Sequence, residues 1–183
     1  GDVDEDPEFN LLFSASVKED IPVGSVVGTV GAVDPEGGAI TYALTDDAGG
    51  RFRIGLNGKI RGDGALDFET NQTHQITVRA TDPDDLFSER TFTIQVLDEN
   101  EEPVIGALSN ASVAERSAKG TDVGTVAVTD PQGDDLTYEL TDDAGGRFRI
   151  TRTGVIKVDG ALDFEANANH DVTVRVTDTD GFI

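Results

Sequence analysis

The chain has 183 residues, with 36 Asp and Glu residues against 14 Lys and Arg residues, a formal net charge of −22, and no Cys, Met or Trp. This surplus of carboxylates excludes a general nucleic-acid-binding protein, which needs basic side chains to replace the counterions of the phosphates. Without Cys there is no disulfide, no thiolate ligand for zinc and no thiol nucleophile. The charge favours cations as partners, and because no apolar run is long enough to cross a bilayer we expect no membrane insertion.

Short β-strands are predicted along the whole chain. Segments that alternate apolar with polar residues and are rich in Val, Ile, Thr and Phe lie at residues 25–33, 39–45, 74–82 and 90–98. The turn-forming sequences DPEGG, DDAGG and DPDD separate them, and no window shows a helical period. About seven such strands in roughly 90 residues predict an all-β, Greek-key sandwich of the immunoglobulin-like type.

The sequence repeats itself 96 residues later. TYALTDDAGGRFRI begins at Thr41 and TYELTDDAGGRFRI at Thr137, and GALDFE begins at Gly64 and again at Gly160. We therefore predict two tandem β-sandwiches. Their predicted bounds are residues 1–8 for part of an upstream calcium linker, 9–97 for repeat 1, 98–103 for a calcium-binding linker and 104–183 for repeat 2. The counterpart of the segment that begins at Ser88 would follow Ile183, so we expect repeat 2 to lack its last strand and to have an open sheet edge.

Acidic residues recur at strand ends in both repeats. Repeat 1 has Glu19, Asp34, Asp67, Glu69 and Asp82, and repeat 2 has Glu115, Asp130, Asp163, Glu165 and Asp178 at the same offset. The linker DENEEP at residues 98–103 adds four carboxylates and one amide. Ca²⁺ prefers six to eight oxygen ligands at about 2.3–2.6 Å, whereas Mg²⁺ requires a smaller octahedron. The recurrence predicts Ca²⁺ at the linker, and a solvated acidic linker is the alternative.

Together these residues resemble the calcium-binding pattern of cadherin repeats, in particular the bacterial type found in large secreted or surface adhesins. The resemblance rests on Glu19, on LDFE at residues 66–69, on DENEEP at residues 98–103, and on Asp130 and Asp178. It implies three calcium ions in a row at the linker, with ligands from Glu19, Asp67, Glu69, Asp98, Asn100, Glu101, Asp130 and Asp178, and backbone carbonyls from Glu99 and Glu102. A weaker metal set is expected at Asp4, Asp34, Glu36 and Asp82.

Two departures from that pattern, and the position of one acidic set, affect what we expect. Gln132 stands where the family has a second Asp, so the ion nearest repeat 2 is expected to bind more weakly, and Glu101 replaces an Asp. The set Glu115, Asp163 and Glu165 is expected to bind poorly, because its own linker would lie after Ile183.

The expected function is a calcium-dependent adhesion module of a secreted or cell-surface protein, with calcium ions and homotypic contacts as its partners. The alternative is a calcium-dependent carbohydrate-binding module that recognises an extracellular polysaccharide, as in a biofilm matrix. No enzyme is expected. The equivalent residues His74 and His170 lie 96 residues apart and make no catalytic pair, and the absence of Trp leaves few stacking platforms for a sugar.

Overall fold

The computed structural model describes residues 4–11 and 15–183. Residues 1–3 of the predicted upstream linker and residues 12–14 of repeat 1 lie outside the described residues. The chain divides into two compact units, Gly1–Glu99 (unit 1) and Asn100–Ile183 (unit 2), and this division falls within the predicted linker. The described residues form fifteen β-strands and no helix, so the all-β prediction is confirmed. None of these residues forms a helix that could span a membrane.

Unit 1 is built from two main sheets and a third, two-stranded sheet. Its described strands are β1 (Glu8–Leu11), β2 (Ala15–Lys18), β3 (Val26–Thr29), β4 (Gly31–Val33), β5 (Thr41–Asp46), β6 (Phe52–Ile54), β7 (Lys59–Gly62), β8 (Thr73–Thr81) and β9 (Phe87–Leu97). One sheet has the order β2-β9-β8-β5, the other has the order β3-β7-β6, and β1 pairs with β4. β9 pairs in parallel with β2 and antiparallel with β8.

The core of unit 1 contains side chains from both sheets. Ile76 and Ile94 come from the four-stranded sheet, and Phe52 and Ile60 come from the three-stranded sheet; all four are almost fully buried in one cluster. Burying each of these side chains contributes about 1.5–3 kcal/mol. Buried and exposed residues alternate along β8 and along the second half of β9. This is the period of two that a strand with one buried face requires.

Unit 2 repeats most of this architecture. Its strands are β10 (Val104–Leu108), β11 (Asp122–Thr129), β12 (Thr137–Asp142), β13 (Phe148–Ile150), β14 (Val155–Val158) and β15 (Thr173–Thr177). They form a sheet with the order β10-β11-β14-β13 and a two-stranded sheet of β12 and β15. Phe148, Ile156, Val158 and Leu162 are buried in its core.

Unit 2 has no counterpart of β9 among its described residues. The absence of this strand affects the two segments that would pair with it. Among the described strands of unit 1, β2 and the first residues of β8, Thr73–Ile76, pair with β9 alone. The equivalent residues 111–114 and 169–172 form no strand, because no described strand accepts or donates their ladder hydrogen bonds.

Candidate metal centres

An acidic cluster forms in unit 1 where β2 and β9 end. Carboxylate oxygens of Glu19, Glu69 and Asp98 lie within 4.8 Å of one another. Glu19 is only 8 % exposed. Its Oε2 accepts a hydrogen bond from the backbone N–H of Phe68 at 2.7 Å, and its Oε1 accepts one from the backbone N–H of Glu99 at 2.9 Å. Glu19 therefore ties the LDFE loop and the linker to the same end of the unit.

The Glu99 side chain points to a different partner. Its carboxylate forms an ion pair with Lys18 Nζ, and this hydrogen bond, together with the charge of Glu99, raises the pKa of Lys18. The backbone N–H of Glu99 still donates to Glu19. The side chain of Glu99 is thus engaged with Lys18, and the contribution of its backbone carbonyl to a metal site stays a prediction.

Asp67 is not brought into this cluster. Its Oδ1 accepts a hydrogen bond from the backbone N–H of Thr70 at 2.7 Å, and its Oδ2 accepts one from the Thr70 hydroxyl at 2.9 Å. These bonds lower the pKa of Asp67 and hold its carboxylate in its own turn. In unit 2 the equivalent Asp163 has Ala166 in place of Thr70, accepts one backbone hydrogen bond at 3.1 Å, and lies in a cluster. Sequence reasoning missed this effect of the Thr70 hydroxyl.

A second predicted set lies in unit 2. Asn100 donates from Nδ2 to Asp178 Oδ2 at 2.7 Å. Asp178 is 5 % exposed, and its Oδ1 accepts backbone hydrogen bonds from residues 180, 181 and 182 at 2.9, 2.7 and 2.9 Å. Burial alone would raise the pKa of Asp178, but the hydrogen bonds from Asn100 and from the backbone outweigh it and hold the pKa below its usual value. Asp178 is therefore a buried, ionised ligand candidate.

Gln132 is joined to Glu101. The Gln132 Oε1 atom accepts from the backbone N–H of Glu101 at 3.2 Å, and its Nε2 donates to the Glu101 carboxylate. The residue that departs from the family pattern is thus hydrogen-bonded to the linker, through a residue that is itself a predicted ligand. Glu102 is exposed, and its side chain belongs to none of the acidic clusters among the described residues.

Two buried carboxylate oxygens have no hydrogen-bond partner among the described residues. They are Oδ2 of Asp130 and Oδ2 of Asp82. In each case the other oxygen is used: Asp130 accepts from the backbone N–H of Asp134 at 3.0 Å, and Asp82 accepts from those of Asp84 and Leu86 at 2.9 Å. An unpaired buried carboxylate oxygen is costly and requires an explanation such as an ion. The donor set therefore fits a hard cation.

The weaker predicted set is largely brought together. Asp4, Asp34 and Glu36 offer oxygens within 4.8 Å of one another. The backbone N–H groups of Glu36 and Gly38 donate to Asp34 at 2.8 and 2.7 Å. Desolvation, followed by the charges of Asp84 and Asp82, raises the pKa of Asp4. Asp82 thus acts on this cluster through its charge without belonging to its tightest part.

A third cluster lies in unit 2. Oxygens of Glu115, Asp163 and Glu165 lie within 4.8 Å of one another. They are the counterparts, 96 residues later, of Glu19, Asp67 and Glu69. Our expectation that this set binds poorly stays a prediction. The structure does gather the three carboxylates, and the repeat offset is the signal that located them.

Comparison with known families decides what kind of repeat this is. The family model for the cadherin domain matches residues 13–97 and 109–182. The chain belongs to the cadherin family. Human cadherin-related family member 2 is 35 % identical over 97 % of the chain, and human protocadherin Fat 4 is 32 % identical over 96 %. The chain spans only 16 % and 4 % of the length of these two relatives.

Solved cadherin structures have the same fold. The crystal structure of human protocadherin-24 EC1-2 (form II) matches with a TM-score of 0.70 and 25 % identity, covering 96 % of this chain and 89 % of that one. The extracellular cadherin domains 1-5 of protocadherin gamma B2 match with a TM-score of 0.63 and 28 % identity, covering 94 % of this chain and 36 % of that one. These relatives and structures support cadherin domains, and they give no support to the qualifier "bacterial type".

Proposed function

We propose that this cadherin chain is a calcium-dependent adhesion module of an extracellular protein, and that calcium stiffens the linker between its repeats. The observation that carries the proposal is the convergence of Glu19, Glu69 and Asp98 within 4.8 Å of one another. Three carboxylates at this spacing repel one another unless a cation neutralises them. The unpaired oxygens of Asp82 and Asp130 support the same ligand.

The linker is the proposed point of stiffening because it supplies candidate ligands to both sets. Asp98 belongs to the acidic cluster of unit 1, and Asn100 is hydrogen-bonded to Asp178 in unit 2. Only Glu99 lies between them in the sequence. Ions held by both residues would therefore restrict the backbone of the linker. Calcium would supply positive charge and a flexible coordination shell, and the protein would supply carboxylate, amide and carbonyl oxygens.

Location and partners belong to the same proposal. Cadherin membership, and similarity to the extracellular domains of protocadherin gamma B2, support a place outside the cell and homotypic contact as the adhesive mode. Membership of this family also indirectly favours a non-enzymatic chain. The polysaccharide alternative receives no specific support from the described residues or from these relatives.

Calcium titration of the chain beside Glu69→Ala tests the metal site. The chain is expected to bind calcium at two or more sites. Removing the Glu69 carboxylate is expected to weaken the affected sites by at least about tenfold, since even changes outside the ligand shell cost 10–100-fold in metal affinity. Glu139→Gln is the matched control, because Glu139 is exposed on β12, lies 3.9 Å from Arg175 and belongs to no acidic cluster among the described residues.

Thermal melts at both ends of the titration complete the test. Calcium at about one hundred times its Kd stabilises the folded state by about 2.7 kcal/mol, which for a domain of this size raises Tm by roughly 10–20 °C. If calcium produces neither heat of binding nor stabilisation, the linker is only a solvated acidic segment. Beads coated with the chain should aggregate in calcium and disperse in EGTA. Calcium binding without aggregation would retain the metal site and reject homotypic adhesion.

A further inference from the structure

The three-stranded sheet of unit 1 contains no acidic residue, although the chain has a net charge of −22. Its strands lie within residues 21–33 and 48–62, which include basic residues but no Asp or Glu. Arg53, Lys59 and Arg61 alternate in β6 and β7 with residues of the core. These three side chains therefore point away from the core, and we call the outer side of this sheet the basic face.

A row of three side chains crosses the basic face. Val26 lies opposite Arg61 in the ladder between β3 and β7, and Arg61 lies opposite Arg53 in the ladder between β7 and β6. Like charges directly opposite each other in a sheet are destabilising. Arg53 forms an ion pair with Asp63 at 2.9 Å. Arg61 donates to the backbone carbonyl of Gly24 at 2.6 Å and has no carboxylate partner among the described residues.

The equivalent row of unit 2 is neutralised within the unit. Asp122 lies opposite Lys157, and Lys157 lies opposite Arg149. Lys157 forms an ion pair with Asp122, and Arg149 forms one with Asp159 at 3.1 Å. Unit 1 has Val26 at the position of Asp122. The carboxylate that would neutralise the row in unit 1 is therefore the one that Val26 replaces.

Exposed apolar side chains lie around the unpaired charge of unit 1. Val23, Val26 and Leu56, the last in the turn between β6 and β7, are 70 %, 51 % and 80 % exposed. In unit 2 the counterparts of Val23 and Leu56 are Lys119 and Arg152. Arginine is enriched in protein interfaces, whose centres are apolar, and lysine is depleted there. The basic face of unit 1 thus has the composition of an interface, and its counterpart in unit 2 has that of a solvated surface.

We propose that the basic face of unit 1 docks onto carboxylates of a second copy of the chain. Charge complementarity favours this occupant, because a second copy also has a net charge of −22 and repels the first except where the first presents the opposite charge. The Arg61 guanidinium would bind a carboxylate of the second copy as Lys157 binds Asp122 within unit 2. The inference rests on the proposed homotypic contact, whose surface it names, and it needs none of the proposed calcium ligands.

Val26→Asp tests the proposal, because it gives unit 1 the carboxylate that unit 2 has in the same row. Arg61 would then be paired within the chain. We expect self-association, measured in calcium by sedimentation equilibrium, to weaken at least about tenfold, as when an Arg anchor of an interface is lost. Ala43→Glu is the matched control: it adds the same charge at an exposed position of β5 where unit 2 has Glu139, and it should associate like the parent chain.

Arg61→Gln is a second variant that keeps the result independent of how Val26→Asp folds. Gln retains a donor for the Gly24 carbonyl but has no charge. The same loss of self-association is expected, and circular dichroism checks that each variant has the folded β-structure of the parent chain.

Carbodiimide cross-linking locates the contact, since it joins an amine to a carboxylate that touches it. Lys59 is exposed on the basic face and has no ion pair among the described residues. In a mixture of isotope-labelled and unlabelled chains, we expect links from Lys59 to Asp or Glu residues of the second copy. These links should persist in Ala43→Glu and be lost in Val26→Asp.

Failure of this inference can be told apart from failure of the proposed adhesion. Undiminished self-association of folded Val26→Asp or Arg61→Gln, or an equal loss in Ala43→Glu, would overturn the docking surface and leave homotypic adhesion in place. A parent chain that is folded and stays monomeric would overturn both. If that monomer binds dextran sulfate and Val26→Asp does not, the occupant of the face is a foreign polyanion and the second copy is rejected.

Discussion

Local hydrogen bonds decide which carboxylates are available to a cation. Glu19 and Asp67 are both predicted ligands, yet Glu19 joins a cluster while Asp67 is bonded twice to Thr70. The equivalent Asp163 has Ala166 in that position and does join a cluster. Two positions that the repeat makes equivalent therefore differ both in the bond from the Thr70 hydroxyl and in membership of an acidic cluster.

Replacing Thr70 should release one of the two hydrogen bonds that hold the Asp67 carboxylate. In Thr70→Ala the hydroxyl bond is lost, so the pKa of Asp67 should rise towards its usual value and the calcium affinity of the unit 1 cluster should increase. A lowered folded-state pKa contributes stability that is present above the unfolded pKa and lost as pH falls through the folded pKa. The variant should therefore lose less stability on acidification. Carboxyl NMR titration measures the pKa of Asp67, and titration calorimetry measures the calcium affinity. Ala166→Thr is the reverse control, and unchanged affinity in both variants would contradict the explanation.

His74 makes unit 1 sensitive to mild acid. It is 6 % exposed, stacks edge-on against Phe52 at 5.9 Å, and its Nε2 is buried without a partner among the described residues. Desolvation, followed by the charge of Arg51, lowers its pKa. The unfolded chain takes up a proton near pH 6.5 while the folded unit resists it, so stability should fall as the pH drops through and below that value.

His74→Phe should remove this part of the pH dependence of unit 1. Urea unfolding at pH 7.5 and pH 5 is the measurement. In a Tyr138→Phe background Tyr42 is the remaining Tyr of the chain, so its fluorescence reports on unit 1. His170→Phe is the control: His170 is the counterpart of His74 in unit 2, so replacing it should leave the acid sensitivity of unit 1 unchanged. An equal loss of stability in acid with and without His74 would refute this account.

At the scale of elements, β9 determines whether the two segments beside it form strands. β2 pairs with β9 alone among the described strands, and so does the first half of β8. In unit 2, where no such strand is described, the equivalent segments form no strand. Residues with strand-forming sequences thus become strands only when a partner supplies the other half of the ladder.

Ile94→Ala should destabilise unit 1 by about 2–5 kcal/mol, the usual cost of this truncation in a packed core. Ile94 is fully buried in the four-stranded sheet. Chemical unfolding followed by Tyr42 fluorescence measures the loss, and Tyr138 fluorescence in a Tyr42→Phe background should show no change in unit 2. Thr93→Ala is the control, since Thr93 is exposed. A loss below about 1 kcal/mol would mean that β9 is not integral to the core.

At the scale of the whole molecule, the net charge of −22 opposes folding when no cation is bound. The clustered oxygens lie within 4.8 Å of one another, whereas salt screens over about 10 Å at 0.1 M and about 3 Å at 1 M. In EGTA, raising the NaCl concentration from about 0.1 M to about 1 M should therefore weaken the repulsion and raise Tm. In saturating calcium the same change should have a smaller effect, because the repulsion is already neutralised. Thermal melts under the four conditions measure this, and equal shifts with and without calcium would show that clustered charge does not limit stability.

Much of the fold was predictable from the sequence because its signals are local or repeated. The alternation in residues 74–82 and 90–98 predicts strands that bury one face, and β8 and β9 confirm them. Repetition after 96 residues predicts two domains of one kind, and Asp98 together with Glu19 predicts a carboxylate cluster. The cadherin resemblance is confirmed, whereas its bacterial qualifier rested on the compactness and likeness of the repeats and has no support.

Tertiary structure alone decided the details of the site. The bond of Thr70 to Asp67, the pairing of Gln132 with Glu101 and the unpaired oxygen of Asp130 depend on side-chain directions, which a pattern of residue types does not specify. By itself the sequence determined which residues face inwards, since that follows from a period of two. Which groups meet was decided by the structure, because contacts between residues far apart in the chain exist only once the sheets are assembled.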